Sequence, residues 1–348
     1  MKRKAIGLLS GGLDSTLATK IILDLGFEVI ALNFKTPFCC CDTKDKCYSE
    51  SVAQKFNILL KRIYGGEDYL ELVKNPKHGY GRNMNPCLDC RIFLFQKAKQ
   101  LMEEVGADFI FTGEVLGERP MSQRLDAMKL IEKESGLKGK VLRPLSAKLL
   151  EPTLVEQMGI VDREKLLPIQ GRSRKPQIAL AQSYQIEDYP CPAGGCLLTD
   201  KNFAQRLKES FEHGEDSLRH IFLLKMGRHF RLPSKAKVIA GRDQKENEAL
   251  LSLSLPYELK FTVDRYKSTY ALLLGDPTIE NQTLSAKICA RYCDEKGLKT
   301  LTVKVWSNSP VENPPPRWGE ECQLKIPPQA GRIEVSPPEE NLLSSMRV

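Results

Sequence analysis

Two groups of residues in this 348-residue chain have the types and spacing to do chemistry. The first is Ser10-Gly11-Gly12-Leu13-Asp14-Ser15. It lies between a short apolar run, Lys4 to Leu9, and a segment, Asp14 to Leu25, whose apolar residues recur at helical spacing. A loop from strand to helix brings backbone N–H groups and the helix N-terminus onto one point, which suits an anion. Two adjacent glycines let the backbone approach a phosphate, Ser10 and Ser15 add hydroxyls, and Asp14 is placed to hold Mg²⁺ on the phosphates. No Gly-Lys-Ser or Gly-Lys-Thr follows, so this is not a Walker loop, and the residues alone suit a tight turn equally well.

The second group is drawn from eleven cysteines. Asn85-Pro86-Cys87-Leu88-Asp89-Cys90-Arg91 sets two thiols just before a helix, where the dipole is expected to lower their pKa and both sulfurs reach one metal. Cys191 and Cys196 stand in a Pro- and Gly-rich loop that can fold over the same site; two unrelated buried pairs are the alternative. Cys39, Cys40, Cys41 and Cys47 follow the second apolar run and read most simply as loop thiols, with a second metal site or a sulfur-accepting loop also open. Cys289, Cys293 and Cys322 fall outside this unit, and the first two, one helical turn apart, are expected to pack.

The elements that position these groups alternate. Strands are expected at Lys4 to Leu9, Phe27 to Phe34 and Asp108 to Thr112, and helices at Asp14 to Leu25 and Arg91 to Val105, the order of a parallel α/β sheet. A helix follows at Phe203 to Phe211. From Leu218 on, helices at Glu246 to Leu255 and Leu284 to Cys293 and strands at Tyr270 to Leu274 and Thr300 to Trp306 form a second, smaller α+β unit with a Pro-rich tail. The expected division is a catalytic domain over 1–165, a cysteine-bearing connector over 166–217 and a second domain over 218–348.

With 41% hydrophobic and 28% charged residues, the chain has the composition of a globular protein with a real core, not of a disordered or collagenous one. A net charge of +8 favours a polyanionic partner. No apolar run approaches the roughly 20 residues of a membrane span, and no export signal is read at the start. Thiols in a cytoplasmic chain stay reduced, so clustered cysteines point to metal or sulfur chemistry before disulfides.

SGGLDS over residues 10 to 15 resembles the SGGxDS signature of the PP-loop ATP pyrophosphatases, which share the adenine nucleotide α-hydrolase fold and cleave ATP to AMP and pyrophosphate. The resemblance implies ATP contacts from Ser10, Gly11, Gly12, Asp14 and Ser15, adenine against the end of the second strand near Asn33, and a pocket closed by Thr112 and Gly113. The NPCxxC stretch resembles the tRNA-thiolating branch. There, a Cys-x-x-Cys and one distant Cys hold a [4Fe–4S] cluster with one open iron. Carried over, the ligands are Cys87, Cys90 and one of Cys196 or Cys191; Cys196 is preferred because Ala193-Gly194-Gly195 frees its backbone, whereas Cys191 sits between prolines. Three thiolates suit a catalytic cluster and four a structural zinc. A cluster-free persulfide relay between Cys87 or Cys90 and Cys196 is the third option.

Residues 220–247 resemble the RNA-binding domain of NFACT-type proteins, with KICARYC over 287–293 and Asn313 to Gly319 as its later parts. This implies phosphate contacts from Arg228, His229, Arg231, Lys237 and Arg242, joined by Arg172 and Arg174 of a basic loop. The function expected is an ATP-dependent tRNA sulfurtransferase acting with Asp14, Cys87, Cys90 and Cys196. Its cofactors are ATP, Mg²⁺ and the cluster. Its partners are tRNA and either inorganic sulfide or a cysteine desulfurase-type donor, with a homodimer left open. The alternatives are a PP-loop ligase or amidase with structural zinc, and a non-enzymatic RNA-binding protein.

Overall fold

The computed structural model describes residues 2–39, 47–187, 189, 196–233, 235–295, 297–308 and 331–348. Cys40, Cys41, Cys191, Cys322 and the Asn313 to Gly319 turn lie outside the described residues. The chain divides into two compact units, Met1–Ala204 and Gln205–Val348.

The first unit runs β1 (Lys4–Leu8), α1 (Leu13–Asp24), β2 (Glu28–Lys35), α2 (Tyr48–Lys55), β3 (Leu59–Tyr64), α3 (Glu67–Lys74), α4 (Cys87–Val105), β4 (Phe109–Thr112), α5 (Leu125–Glu134), β5 (Val141–Leu142), α6 (Leu154–Gln157) and α7 (Lys175–Ser183). Its strands form one parallel sheet in the order β3-β2-β1-β4-β5. The central strands are apolar throughout because helices cover both faces. Ala5, Val29, Phe109 and Phe111 pack with Leu17 and Ile21 of α1 on one side. Ile6, Leu8, Ile30 and Ile110 alternate with them and pack with Phe95, Leu101 and Ile131 of α4 and α5 on the other. The strand order reverses at β1, and in such sheets the crevice outside the carboxyl ends of the strands at the reversal is where ligands bind. Residues 10–12 after β1 and 113–114 after β4 flank that crevice.

The unit ends later in the chain than the expected boundary at 165. Leu166, Ile169, Ala181 and Ile186 belong to its core. The division falls instead within α8 (Lys201–Glu212).

The second unit continues with α9 (Leu218–Leu224), β6 (Arg228–Leu232), β7 (Ala236–Ala240), α10 (Gln244–Leu253), β8 (Leu259–Val263), β9 (Ala271–Leu274), α11 (Ile279–Arg291), β10 (Leu301–Trp306), β11 (Gly331–Val335) and α12 (Glu340–Met346). Its sheet is antiparallel, in the order β11-β10-β8-β9-β7-β6. Phe230, Val238, Phe261 and Leu273 face Ile288 and Cys289 of α11, so Cys289 and Cys293 are core residues, as their helical spacing predicts. Ile239, Leu272 and Leu274 face Leu223 of α9 and Leu250 of α10. Among the described residues no helix is long and apolar enough to cross a membrane.

Candidate active site

The phosphate loop is built by close backbone approach. Gly11 has φ +82°, and a Cβ there would meet Ser49 N at 2.6 Å, so only glycine fits against α2. Gly12 is the N-cap of α1, with Ser10 Oγ accepting from its N–H at 3.3 Å and Ser15 Oγ donating to its carbonyl at 2.9 Å. A Cβ on Gly113 would lie 2.4 Å from Asp14 C and Ser15 N, so the loop after β4 presses directly on this turn. Asn33, at the end of β2 and 6% exposed, donates to Leu9 O at 2.8 Å while its Oδ1 is buried without a partner.

Around Asp14 the pocket holds several buried polar atoms with unmet bonding capacity: Asp14 Oδ1, Glu118 Oε2, Arg174 Nε and both amide atoms of Gln177, a residue 0% exposed. Arg174 Nη2 stands 3.7 Å from Asp14 Oδ2. Burial raises the Asp14 carboxyl above its ordinary range against the opposing charges of Arg174 and Arg119, and burial with the nearby Asp14 charge raises Glu118. Two carboxylates, a guanidinium and a carboxamide with unmet bonding capacity, with Arg119 charged nearby, are a donor set that fits a Mg²⁺–polyphosphate. Arg119 belongs to a loop, Gly117 to Arg124, whose closely spaced arginines suit phosphate contacts, whereas Glu118 and Gln177 carry no sequence signature of their own; Gln177 is one helical turn beyond Arg174, and only the packing of α7 beside α1 turns that face toward Asp14.

The thiols lie at the same end of the sheet, around the start of α4. Cys87 opens α4 and Cys90 follows one turn later, its N–H bonded to Pro86 O at 2.8 Å, so both sulfurs share a face. Cys196 forms a single antiparallel bridge with Cys39, and Leu197 N–H donates to Phe38 O at 3.0 Å. Tyr69 of α3 donates its hydroxyl to Cys90 Sγ at 3.2 Å, and Phe34, Phe38 and Phe93 stack around its ring at 5.5–6.3 Å. Sequence reasoning missed Tyr69 because it reads as part of the apolar stripe of α3.

The expectation of acidified thiols is reversed. Burial raises Cys87 above its usual value despite the charges of Arg91 and Arg119; it also raises Cys90, and it pushes Cys196 up to about 12. Desolvation outweighs the helix dipole here. Neutral thiols gathered in an aromatic pocket gain as thiolates only beside a cation, which is the chemistry of a metal–sulfur centre. Among the described residues no three His, Cys, Asp or Glu side chains are gathered to hold a single metal ion.

The two halves of the site are joined. Glu114, next to Gly113, receives Arg143 Nε at 3.0 Å and Arg91 Nε at 3.5 Å, and Arg91 directly follows Cys90. Arg143, bound also to Glu132, is fully buried; its two carboxylate partners outweigh the cost of desolvating it and keep it charged. The Gly-rich turn and the first turn of α4 are thereby linked through Glu114.

The proposed RNA contacts separate into distinct environments. Arg172 is exposed, and Arg174 stands beside Asp14. Lys237 is 1% exposed and paired with Glu209 and Glu215, each at 2.9 Å, and Arg231 binds the same two acids at 2.5 and 2.7 Å. His229 is buried, which pushes it down to about 3 and keeps it neutral. These three therefore serve the interior of the second unit instead of facing phosphate. Arg228 stacks on the Tyr292 ring at 4.4 Å, and Arg242 is exposed, holding Glu246 at 2.5 Å.

Residues 1–149 match the family described as thiamine biosynthesis protein (ThiI), and residues 227–314 match the NFACT protein RNA binding domain. The tRNA-specific 2-thiouridylase MnmA of Leptospira biflexa is 31% identical over 133 residues, covering 32% of this chain and 33% of its own. A probable tRNA sulfurtransferase of Thermococcus kodakarensis is 30% identical over 151 residues, covering 41% and 36%. The chain thus spans about a third of the length of these curated relatives. The solved U34-tRNA thiolase NcsA from Methanococcus maripaludis with its [4Fe-4S] cluster is 17% identical, covers 64% of this chain and 72% of that one, and superposes with a TM-score of 0.31. The first 149 residues are thus similar to the ThiI family and residues 227–314 to the NFACT RNA-binding domain.

Proposed function

We propose that the chain is an ATP-dependent tRNA sulfurtransferase of the cytoplasm. The observation that supports this reading is the run of contacts from Asp14 through Gly113, Glu114 and Arg91 to Cys90, which links the Gly-rich turn to the cysteines at the carboxyl ends of the strands. The names of the relatives supply the substrate class, and the NFACT-type domain supplies a module for holding RNA.

In this reading the loop amides and the N-terminus of α1 receive the ATP phosphates, and Asp14 with Glu118 holds Mg²⁺ on them. Arg119 and Arg174 balance the charge that develops as a uridine carbonyl oxygen attacks the α-phosphate and pyrophosphate leaves. The adenylated ring carbon is then attacked by sulfur, AMP departs with the former carbonyl oxygen, and a thiocarbonyl remains. Cys87, Cys90 and Cys196, with Cys191 as the alternative third, hold the sulfur source. A [4Fe–4S] cluster bound there would supply an iron position for sulfide; in the other form a persulfide on one of these cysteines attacks, and a second cysteine thiolate then takes the first cysteine's sulfur into a disulfide, breaking the S–S bond and leaving the thiocarbonyl on the ring. Glu114 keeps Arg91, and with it the first turn of α4, aimed at the nucleotide. The uridine must leave its stack to enter, and Arg172, Arg228 and Arg242 are the cations placed to hold the RNA backbone.

The test is ATP cleavage by the full chain with tRNA, sulfide and Mg²⁺, read as pyrophosphate release and as thiouridine by mass spectrometry of digested RNA. Pyrophosphate release stimulated by tRNA, thiouridine formation, and loss of both in Asp14→Asn support the reading. Cleavage indifferent to tRNA, with no thiolated nucleoside, overturns it in favour of a ligase acting on a small molecule.

A further inference from the structure

The antiparallel sheet of the second unit is covered unevenly. Alternate residues of each strand face opposite ways, and those that face α11, such as Phe261, Leu273 and Val305, are core. On the other face, α9 and α10 pack with Ile239 of β7 and with Leu272 and Leu274 of β9. Farther along that face, β8, β10 and β11 present Lys260, Thr262, Lys304, Trp306 and Arg332. The register sets Trp306 opposite Lys260, and Lys304 opposite both Thr262 and Arg332. Lys304 and Arg332 are 47% and 65% exposed, so this half of the face offers cations to solvent where the reverse face offers core.

An aromatic pair sits among these cations. Tyr270, just before β9, stands on one side of β8 and Trp306 of β10 on the other, and their rings meet edge to face with centroids 5.9 Å apart at 77°. The pair therefore spans β8 at the level of Lys260, which is 2% exposed and whose ammonium lies 3.4 Å from Glu258 O. Both aromatic residues are half-buried, and an edge-to-face pair leaves ring surface free for a flat partner. Lys304 lies two residues from Trp306 on the same face, about 6.6 Å along the strand. Asp264 takes Lys304 at 2.8 Å and Arg332 at 3.2 Å; one carboxylate between two more exposed cations leaves the group with a net positive charge. Glu334 stands opposite Thr302, about 13 Å along β10 from Trp306 and away from the rings. A free π surface beside cations matches a nucleotide whose base is unpaired. A duplex hides its base faces, and a neutral peptide makes no use of the charge.

We propose that this half of the sheet is an RNA-docking platform, on which an unpaired base stacks against the Tyr270–Trp306 pair while Lys304 and Arg332 hold the adjoining phosphates. The inference rests on the RNA-holding role given above to the second unit, and it adds a base contact to the backbone contacts named there. Stacking of this kind is indifferent to base identity, because every base has a π face, so the platform selects single-stranded or looped RNA by shape.

The experiment is fluorescence anisotropy of the full chain with a short unstructured oligouridine and with whole tRNA, comparing wild type, Trp306→Leu and the double variant Lys304→Ala/Arg332→Ala. Trp306→Leu is expected to weaken oligouridine binding about tenfold with an unaltered slope of log affinity against log salt. The double variant is expected to reduce that slope by about 1.4, two phosphates at roughly 0.7 each on a single strand. Unchanged affinity in Trp306→Leu, with or without loss of a dimer in light scattering, overturns the platform and leaves the RNA-holding role of the unit standing. Binding of tRNA but not of oligouridine by the wild type overturns the unpaired base as occupant and the proposal with it. Binding of neither overturns the RNA-holding role and the proposal together. Should Trp306→Leu fail to fold, photo-cross-linking of the wild type to oligouridine carrying iodouracil decides, since that base couples to aromatic rings stacked on it. Adducts on Tyr270 or Trp306, mapped by peptide mass spectrometry, are expected; adducts confined to other residues overturn the proposal.

Discussion

Single residues set the tolerance of the nucleotide crevice. Gly113 has no room for a methyl group, because the atoms at 2.4 Å are the backbone of Asp14 and Ser15 and cannot swing aside. Gly113→Ala is expected to shift the phosphate turn, weakening ATP binding at least about tenfold and lowering stability by roughly 1–3 kcal/mol, the range for overpacking. Calorimetric titration with ATP and a melting curve read the two effects. Gln177 makes the opposite case. Its amide is fully buried beside the Asp14 carboxylate, and neither polar atom finds a partner of good geometry within the protein. Gln177→Leu is expected to leave the melting temperature equal or higher while weakening ATP binding about tenfold, since a lost buried hydrogen bond to a charged ligand is worth roughly 1.5–3 kcal/mol. A lower melting temperature with unchanged affinity would show that the amide serves the fold. The hexad at 10–15 was legible in sequence because one short segment carries its chemistry. Gln177, Glu118 and Tyr69 were not, because their meaning arises only where separate helices converge.

At the scale of elements, α4 holds its cysteines through a clamp on the segment that enters it. His78 N–H and Nδ1 meet the two Asp89 oxygens at 3.0 and 2.9 Å, His78 Nε2 lies 3.2 Å from Glu134 of α5, and Lys77 binds Glu134 at 2.8 Å. The hydrogen bond to Asp89, and then the charges of Asp89 and Glu134, raise the imidazole above its ordinary 6.5 against the opposing effect of burial. A folded value raised above the unfolded one means that the stabilisation is fully present below pH 6.5 and is lost as pH rises through the folded value. Wild type is therefore expected to lose melting temperature relative to His78→Asn by about 1–2 °C between roughly pH 6 and 8.5. Parallel curves would show that the clamp carries no charge. The alternation of short apolar runs and helical periods revealed the sheet and α4 in advance. The bridge of Cys39 to Cys196 was hidden, since a single pair closing a long loop leaves no periodicity, and the thiol acidities were misjudged because the helix dipole is visible in sequence and burial is not.

Across the whole molecule, charge in a stretch of sequence is a poor guide to charge on a surface. Eight lysines and arginines crowd residues 219–245 against one acid, Asp243. Yet Glu209 and Glu215 neutralise Arg231 and Lys237, Glu258 takes Arg219 at 2.5 Å, and Glu246 takes Arg242. All four of those acids lie outside the stretch, so only folding shows the balance. Burial opposes ionisation of Glu215, but Arg231 and Lys237 overcome it and bring its carboxyl down to about 2. Its share of the stability is present above pH 4.5 and lost as pH falls toward 2. Lys237→Met leaves two carboxylates facing one guanidinium in the interior, and breaking such a pair is expected to destabilise by about 3–5 kcal/mol. Urea denaturation at neutral pH measures this, and the deficit is expected to shrink as the acids are protonated. The same variant, kept folded at low temperature, is expected to bind tRNA with an unchanged salt dependence, because Lys237 presents no charge to solvent. Arg172→Ala, on an exposed loop, is expected to leave stability unaltered and to reduce the slope of log affinity against log salt by roughly 1 if that arginine meets a phosphate. A reduced slope in Lys237→Met with none in Arg172→Ala would reverse the assignment and return the RNA contact to the basic stretch.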